Sequence, residues 1–123
     1  MRVQTRQLVP LIKVADVERS ISFYQHLGFE AGNTFAPEGV TKPAWVWLHS
    51  GNAQLMLAAA TEPVNTEQQT VLFYIYTDDV PTARTTLIEA GLNPGAITTP
   101  FYAPHGEFEL RDPDGYLLMI THT

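Results

Sequence analysis

The sequence predicts an α+β protein built from two copies of one βαβββ module, and three observations lead there. First, Trp45-Val46-Trp47-Leu48-His49-Ser50-Gly51-Asn52-Ala53-Gln54-Leu55-Met56-Leu57-Ala58 and Phe108-Glu109-Leu110-Arg111-Asp112-Pro113-Asp114-Gly115-Tyr116-Leu117-Leu118-Met119-Ile120-Thr121 share one build: two β-rich runs about a turn. Second, Met56 and Met119 stand 63 positions apart, and the same shift carries Ile12 onto Ile75, Asp16 onto Asp79, Val17 onto Val80, Gly28 onto Gly91, Gly32 onto Gly95 and Pro37 onto Pro100 without a gap. Third, the strands are apolar at both parities. A helix covers one face of each sheet, and the other apolar face needs its own cover. Two curved mixed sheets around an aromatic-lined cup meet that need.

In chain order, 8–14 reads as the first strand, apolar on both faces. Asp16 suits an N-cap, accepting from the free amides of a helical turn. The helix is predicted over 17–27, with Val17, Ile21, Tyr24 and Leu27 on one stripe. Gly28 ends it. A short strand over 29–34, a loop over 35–43 and the first hairpin complete module one, 8–58. The polar stretch 59–69 reads as a linker.

Module two, 70–122, repeats the plan. Its first strand is 70–77. Asp79 caps a helix over 80–90 with Val80, Ala83, Leu87 and Ala90 inward, and Pro81 sits in the first turn, where a missing N–H costs nothing. Gly91 ends the helix. A weak strand over 92–97 surrounds Pro94 and Gly95, and a loop leads to the last hairpin. In the turn Asp112-Pro113-Asp114-Gly115, proline sets φ for the second position and glycine accepts the positive φ that closes it. The whole chain, 1–123, reads as one domain of two modules.

The totals narrow the function. The chain has 13 acidic and 7 basic residues, a net charge of −6. Nucleic acid is disfavoured, because it needs a basic face. Neutral or cationic ligands are mildly favoured. There is no cysteine, hence no disulfide and no thiolate metal site. No apolar run is long enough for a bilayer, and no signal peptide is evident, so the expected location is cytoplasmic.

Strand alternation sorts the faces. Ile12, Val14, Phe73 and Ile75 suit the helix side. Val9, Leu11, Lys13, Leu72, Tyr74 and Tyr76 then face the cup. The hairpin residues assigned to the same side are Trp45, Trp47, His49, Gln54, Met56, Phe108, Leu110, Leu117, Met119 and Thr121.

The run Val14-Ala15-Asp16-Val17-Glu18-Arg19-Ser20-Ile21-Ser22-Phe23-Tyr24, with Gly28-Phe29 and Arg111-Asp112-Pro113-Asp114-Gly115-Tyr116, resembles the vicinal oxygen chelate superfamily. That superfamily comprises glyoxalase I, bleomycin-resistance proteins, fosfomycin-resistance enzymes and extradiol dioxygenases. The resemblance spans almost the whole chain and rests on scaffold residues, which are specific for fold and not for activity. Its enzymes hold a divalent metal with His and Glu at positions that fall here on Val9, Met56, Leu72 and Met119. Valine and leucine have no donor atom, and a thioether suits soft ions only. The resemblance therefore implies a member closest in character to the metal-free bleomycin-resistance proteins, with no cofactor.

The expected function is sequestration of an aromatic or cationic small organic molecule, as in antibiotic resistance, by a homodimer that binds neither nucleic acid nor membrane. Catalysis is not the favoured reading. The expected ligand-binding residues are Trp45, Trp47, His49, Met56, Tyr74, Tyr76, Phe108, Met119 and Lys13, with Gln54 and Thr121 as further polar groups. Aromatic-lined concavities with a few polar groups are typical ligand sites. Against this stands ordinary core packing of the same rings.

The alternative is a lyase or dioxygenase-type enzyme with a relocated metal or metal-free acid–base chemistry. Lys13, His49, Tyr74 and Tyr76 are its candidate groups. His49, His105 and Glu107 are candidates for a displaced metal site, but surface polarity at strand ends is the favoured explanation of them. Glu107 and Glu109 are expected to point away from the cup.

Overall fold

The computed structural model describes residues 1–122. The chain forms two compact units, Met1–Val64 and a second that begins at Asn65.

In module one, β1 (Leu11–Val14) leads into α1 (Val17–Gln25), followed by β2 (Glu30–Phe35), β3 (Trp45–Ser50) and β4 (Ala53–Ala59). The sheet order is β1-β4-β3-β2. β1 and β4 are parallel, and the other two pairs are antiparallel. β1 is shorter than the 8–14 expected, although Met56 N still donates to Pro10 O at 2.8 Å.

Asp16 caps α1 as expected, accepting from Arg19 N at 3.2 Å. The stripe that α1 buries is Val17, Ser20, Phe23 and Tyr24. It is rotated from the expected one, and Ile21 and Leu27 are only half-buried. The cause is aromatic: the Tyr24 ring meets Phe23 at 5.1 Å and Phe29 at 5.9 Å, both edge-on. Ile12, Val14, Val46, Leu48, Leu55 and Leu57 alternate along their strands to make the core. Each such side chain contributes about 1.5–3 kcal/mol on leaving water.

Module two contains β5 (Leu72–Tyr76), α2 (Val80–Glu89), β6 (Glu107–Arg111) and β7 (Leu117–Thr121). The order is β5-β7-β6, with β5 parallel and β6 antiparallel to β7. Asp79 caps α2, accepting from Thr82 N at 3.0 Å and from Thr82 Oγ1 at 2.8 Å.

The strand expected over 92–97 is reduced to a bridge between Thr98 and Glu107, plus a bond from Gly95 N to Glu109 O at 2.8 Å. Three steps from Gly95 to Thr98 span two from Glu109 to Glu107. In module one three steps from Ala31 to Thr34 likewise span two from Leu48 to Val46. Both copies thus carry an extra residue at this edge, as a β-bulge does. In module two Pro94 also lacks an N–H, so the ladder cannot extend.

The gapless repeat fails at the second hairpin. In module one the closing pair is Ser50 with Ala53 about a two-residue turn, and Trp47 faces Met56. The shift of 63 would therefore set Leu110 against Met119. The observed partner of Met119 is Glu109, because the closing pair is Arg111 with Leu117 about a longer loop. Within that loop the Asp112 side chain accepts from Asp114 N and Tyr116 N, each at 2.9 Å. An offset of one residue turns every side chain of a strand to the other face.

Phe108 and Leu110, expected on the cup side, therefore lie in the core with Leu118 and Ile120. Glu107 and Glu109, expected to point away from the cup side, lie on the open face with Thr121 and Met119.

The stretch 59–69 is also less free than expected. Ala59 ends β4. Gln69 Nε2 donates to Asp114 O at 3.2 Å, and Thr66 runs so close to the last turn that a Cβ on Gly115 would stand 2.0 Å from Thr66 O.

Candidate functional site

The open face of module one is set by β3, whose Val46 and Leu48 go to the core and whose Trp45 and Trp47 do not. Three strands place Lys13, Ala58 and Trp45 in one row and Leu11, Met56 and Trp47 in the next. Phe35 of β2 pairs with Trp45 and is exposed. His49 pairs with Gln54 and Glu30, and Gln54 accepts from Gln7 Nε2. Half-buried indoles beside a methionine and a lysine give a surface for a flat or cationic ligand. Six expected residues, Lys13, Trp45, Trp47, His49, Gln54 and Met56, thus share this face.

On module two the rows are Leu72, Leu117 and Arg111; Tyr74, Met119 and Glu109; and Tyr76, Thr121 and Glu107. Tyr74, Tyr76, Met119 and Thr121 stand where they were expected. Phe108 does not: it is 1% exposed and shares the core face with Ile120.

A cleft of about 400 Å³ opens here, lined by Gly95, Ala96, Thr98, Tyr102, Glu107, Phe108, Glu109 and Met119. Glu107, at 3% exposed, is its buried charge. Its Oε2 accepts from Tyr102 Oη at 3.0 Å and its Oε1 from Thr121 Oγ1 at 3.3 Å. The bond to Glu107, then partial desolvation and the carboxylate's charge, raise the Tyr102 phenol above its ordinary value of 10.0.

Sequence reasoning missed Glu107 and Glu109 as open-face residues, and Tyr102 altogether. The available signal was the longer second turn. Charge is also unevenly divided: residues 1–64 hold five basic and five acidic side chains, whereas 65–123 hold two and eight.

The positions that the resemblance assigns to metal ligands carry no side chain suited to a hard divalent cation. Val9, Met56, Leu72 and Met119 offer only thioethers, which suit soft ions. The displaced set does not assemble either. The His105 ring lies 4.7 Å from that of His122 at a tilt of 55°, and among the described residues no three His, Asp or Glu side chains group as ligands. Among the described residues no helix is long and apolar enough to cross a membrane.

A family model described as the Glyoxalase/Bleomycin resistance protein/Dioxygenase superfamily matches residues 7–120. Among solved structures, the chain is similar to a bleomycin resistance determinant encoded on the transposon Tn5, at 20% identity over 97% of this chain and 98% of that one, TM-score 0.77. It is similar to a bleomycin-binding protein complexed with bleomycin, at 21% identity over 97% and 99%, TM-score 0.74. A virulence protein from Salmonella typhimurium is similar at 21% identity over 98% of each chain, TM-score 0.68. At such identities the likeness is one of fold. No curated protein matches the chain.

Proposed function

Because the chain belongs to the glyoxalase/bleomycin resistance protein/dioxygenase superfamily, we propose that it is a small-molecule receptor that sequesters an aromatic or cationic organic compound without chemistry. The observation that carries this is the pair Trp45 and Trp47, held side by side on the open face of module one by rows that also contain Lys13 and Met56. The helix-side core is complete without them, so their rings are available for stacking. Tyr74 and Tyr76, exposed on β5, extend the same character to module two.

A structural neighbour binds bleomycin, which is consistent with a receptor role on this scaffold. The ligand-binding set is Trp45, Trp47, His49, Met56, Lys13, Tyr74, Tyr76 and Met119, and no metal or organic cofactor takes part. The proposal includes a single two-module domain, a homodimer, a cytoplasmic location and a role in drug resistance. Sedimentation tests the dimer.

The test of the receptor is a titration with metal-free bleomycin and a panel of planar aromatic cations, read by tryptophan emission and calorimetry. A ligand bound only by the native state also raises the melting temperature. Trp47→Ala is expected to weaken binding about three- to thirtyfold, as loss of roughly 0.5–2 kcal/mol of stacking requires. A variant that loses fold and binding in equal measure would reduce Trp47 to a packing residue.

The contact between Glu107 and Tyr102 favours a second reading, an acid–base enzyme. Elemental analysis and turnover assays separate the two. Stoichiometric divalent metal in protein purified without chelator, or catalysis abolished by Glu107→Gln, would replace the receptor by the enzyme.

A further inference from the structure

The cleft of module two has a feature that a stacking surface does not need: a nearly fully buried carboxylate. Taking a charge out of water costs several kcal/mol unless partners repay it. The partners of Glu107 are two hydroxyls, Tyr102 Oη and Thr121 Oγ1. They occupy one lone pair on each oxygen and cancel none of its charge. Glu109 lies two residues along the same strand, hence on the same face, about 7 Å away by strand rise. Its side chain is exposed and also lines the cleft.

Of the two arginines of this module, one bonds to backbone at the cleft's lining and the other to the last turn, and among the described residues neither bonds to Glu107 or Glu109. Arg84 Nε donates to Gly95 O at 2.7 Å and Arg111 Nη1 to Gly115 O at 3.0 Å. With two basic against eight acidic side chains in 65–123, the field over the module is negative. Beside the carboxylates on the same sheet face stands Met119, in register between Glu109 and Tyr74.

We propose that this cleft is a subsite for a protonated amine or guanidinium group, with Glu107 and Glu109 as its acceptors and Met119 and Tyr102 flanking the carbon that carries the charge. The subsite deepens the receptor reading, on which it rests for an organic cation as the ligand. Selectivity is for N–H cations over quaternary ones. A carboxylate bonds strongly to a charged donor, and a quaternary ammonium has no hydrogen to give. The Tyr102 phenol donates to Oε2, which keeps a second lone pair for a charged donor.

The experiment titrates full-length protein with three probes that share one ring: 2-naphthylmethylamine, its N-trimethyl ammonium analogue and 2-naphthylmethanol. Affinity is read by calorimetry and location by amide chemical shifts. The amine is expected to bind tenfold or more tighter than the alcohol, as a charge-assisted bond implies. The quaternary analogue should fall between them, with shifts at 95–98 and 107–109 for the amine. Glu107→Gln and Glu109→Gln should each remove most of the amine's advantage over the alcohol. If Glu107→Gln fails to fold, Glu109→Gln decides alone, since that side chain is exposed.

Equal affinity for amine and alcohol in the unaltered protein overturns the subsite, as does an advantage that survives the substitutions. So does the absence of amine shifts at 95–98 and 107–109 at millimolar probe. Failure of the receptor reading looks different: no probe perturbs Trp45 or Trp47, whatever happens at Glu107.

Discussion

Gly115→Ala probes how the chain entering module two is tied to the last hairpin. Two costs arise. Gly115 has φ +83, and an L side chain held in that region costs about 1–2 kcal/mol. The added Cβ would also lie 2.0 Å from Thr66 O, 2.8 Å from Thr66 C and 2.9 Å from Thr66 Cα, where ordinary contact begins at 3.4 Å. These are backbone atoms, so a rotamer change cannot relieve the clash. Either the turn deforms, against the Asp112 side-chain bonds to Asp114 N and Tyr116 N, or the segment 66–69 lifts off. Lifting off loses the Gln69 bond to Asp114 O, worth about 1 kcal/mol.

The expected total is about 3 kcal/mol. Gly91→Ala is the control, with φ +87 and nothing within 4 Å of its Cβ, so only the backbone cost of about 1–2 kcal/mol applies. Both tryptophans lie in module one, so their emission is the wrong probe. Amide exchange at β7 reads the right module. Equal destabilisation by the two variants would show that Thr66 does not cross the turn.

Other outcomes are equally direct. Leu118→Ala is expected to cost about 2–5 kcal/mol in urea denaturation, because Leu118 is fully buried between β5 and β6, whereas exposed Tyr76→Ala should cost under about 0.5 kcal/mol. Asp79→Ala should lower the urea midpoint through loss of the α2 cap. The bonds from Thr82 hold the Asp79 carboxyl below 3.8, so its contribution is present above that pH and is lost as pH falls through the lowered value. Spectrophotometric titration should find the Tyr102 phenol above 10.0, and Glu107→Gln should return it toward that value. Because the folded form binds the phenolic proton more tightly, the linked stability is present below about pH 10 and fades as the pH rises further.

Local chemistry explains what was readable from the residues. Caps such as Asp16 and Asp79, and the proline and glycine of 112–115, act through neighbours a few positions away, so their roles survive any tertiary arrangement. The repeat was readable for the same reason, and the two modules share their plan while differing at the second strand and in the register of the last hairpin. Period-two alternation assigned β1, β3, β4, β5 and β7 to their faces, and with them Trp45, Trp47, Tyr74 and Tyr76. The buried stripe of α1 was only partly readable, because ring packing among Phe23, Tyr24 and Phe29 outweighed the simple periodicity.

What tertiary structure alone decided is the face of β6. Alternation gives two phases of equal merit to Glu107-Phe108-Glu109-Leu110, and only the partner strand chooses between them. That choice depended on how many residues the turn 111–117 consumes, which follows from the Asp112 side chain reaching two backbone amides. Copying the first hairpin's register onto the second set Phe108 toward the ligand and the carboxylates away from it. Pairing in space reversed both, and so created the acidic cleft. The polar stretch before module two followed the same rule, since its contact with Gly115 and Asp114 spans more than forty positions and no local pattern announces it.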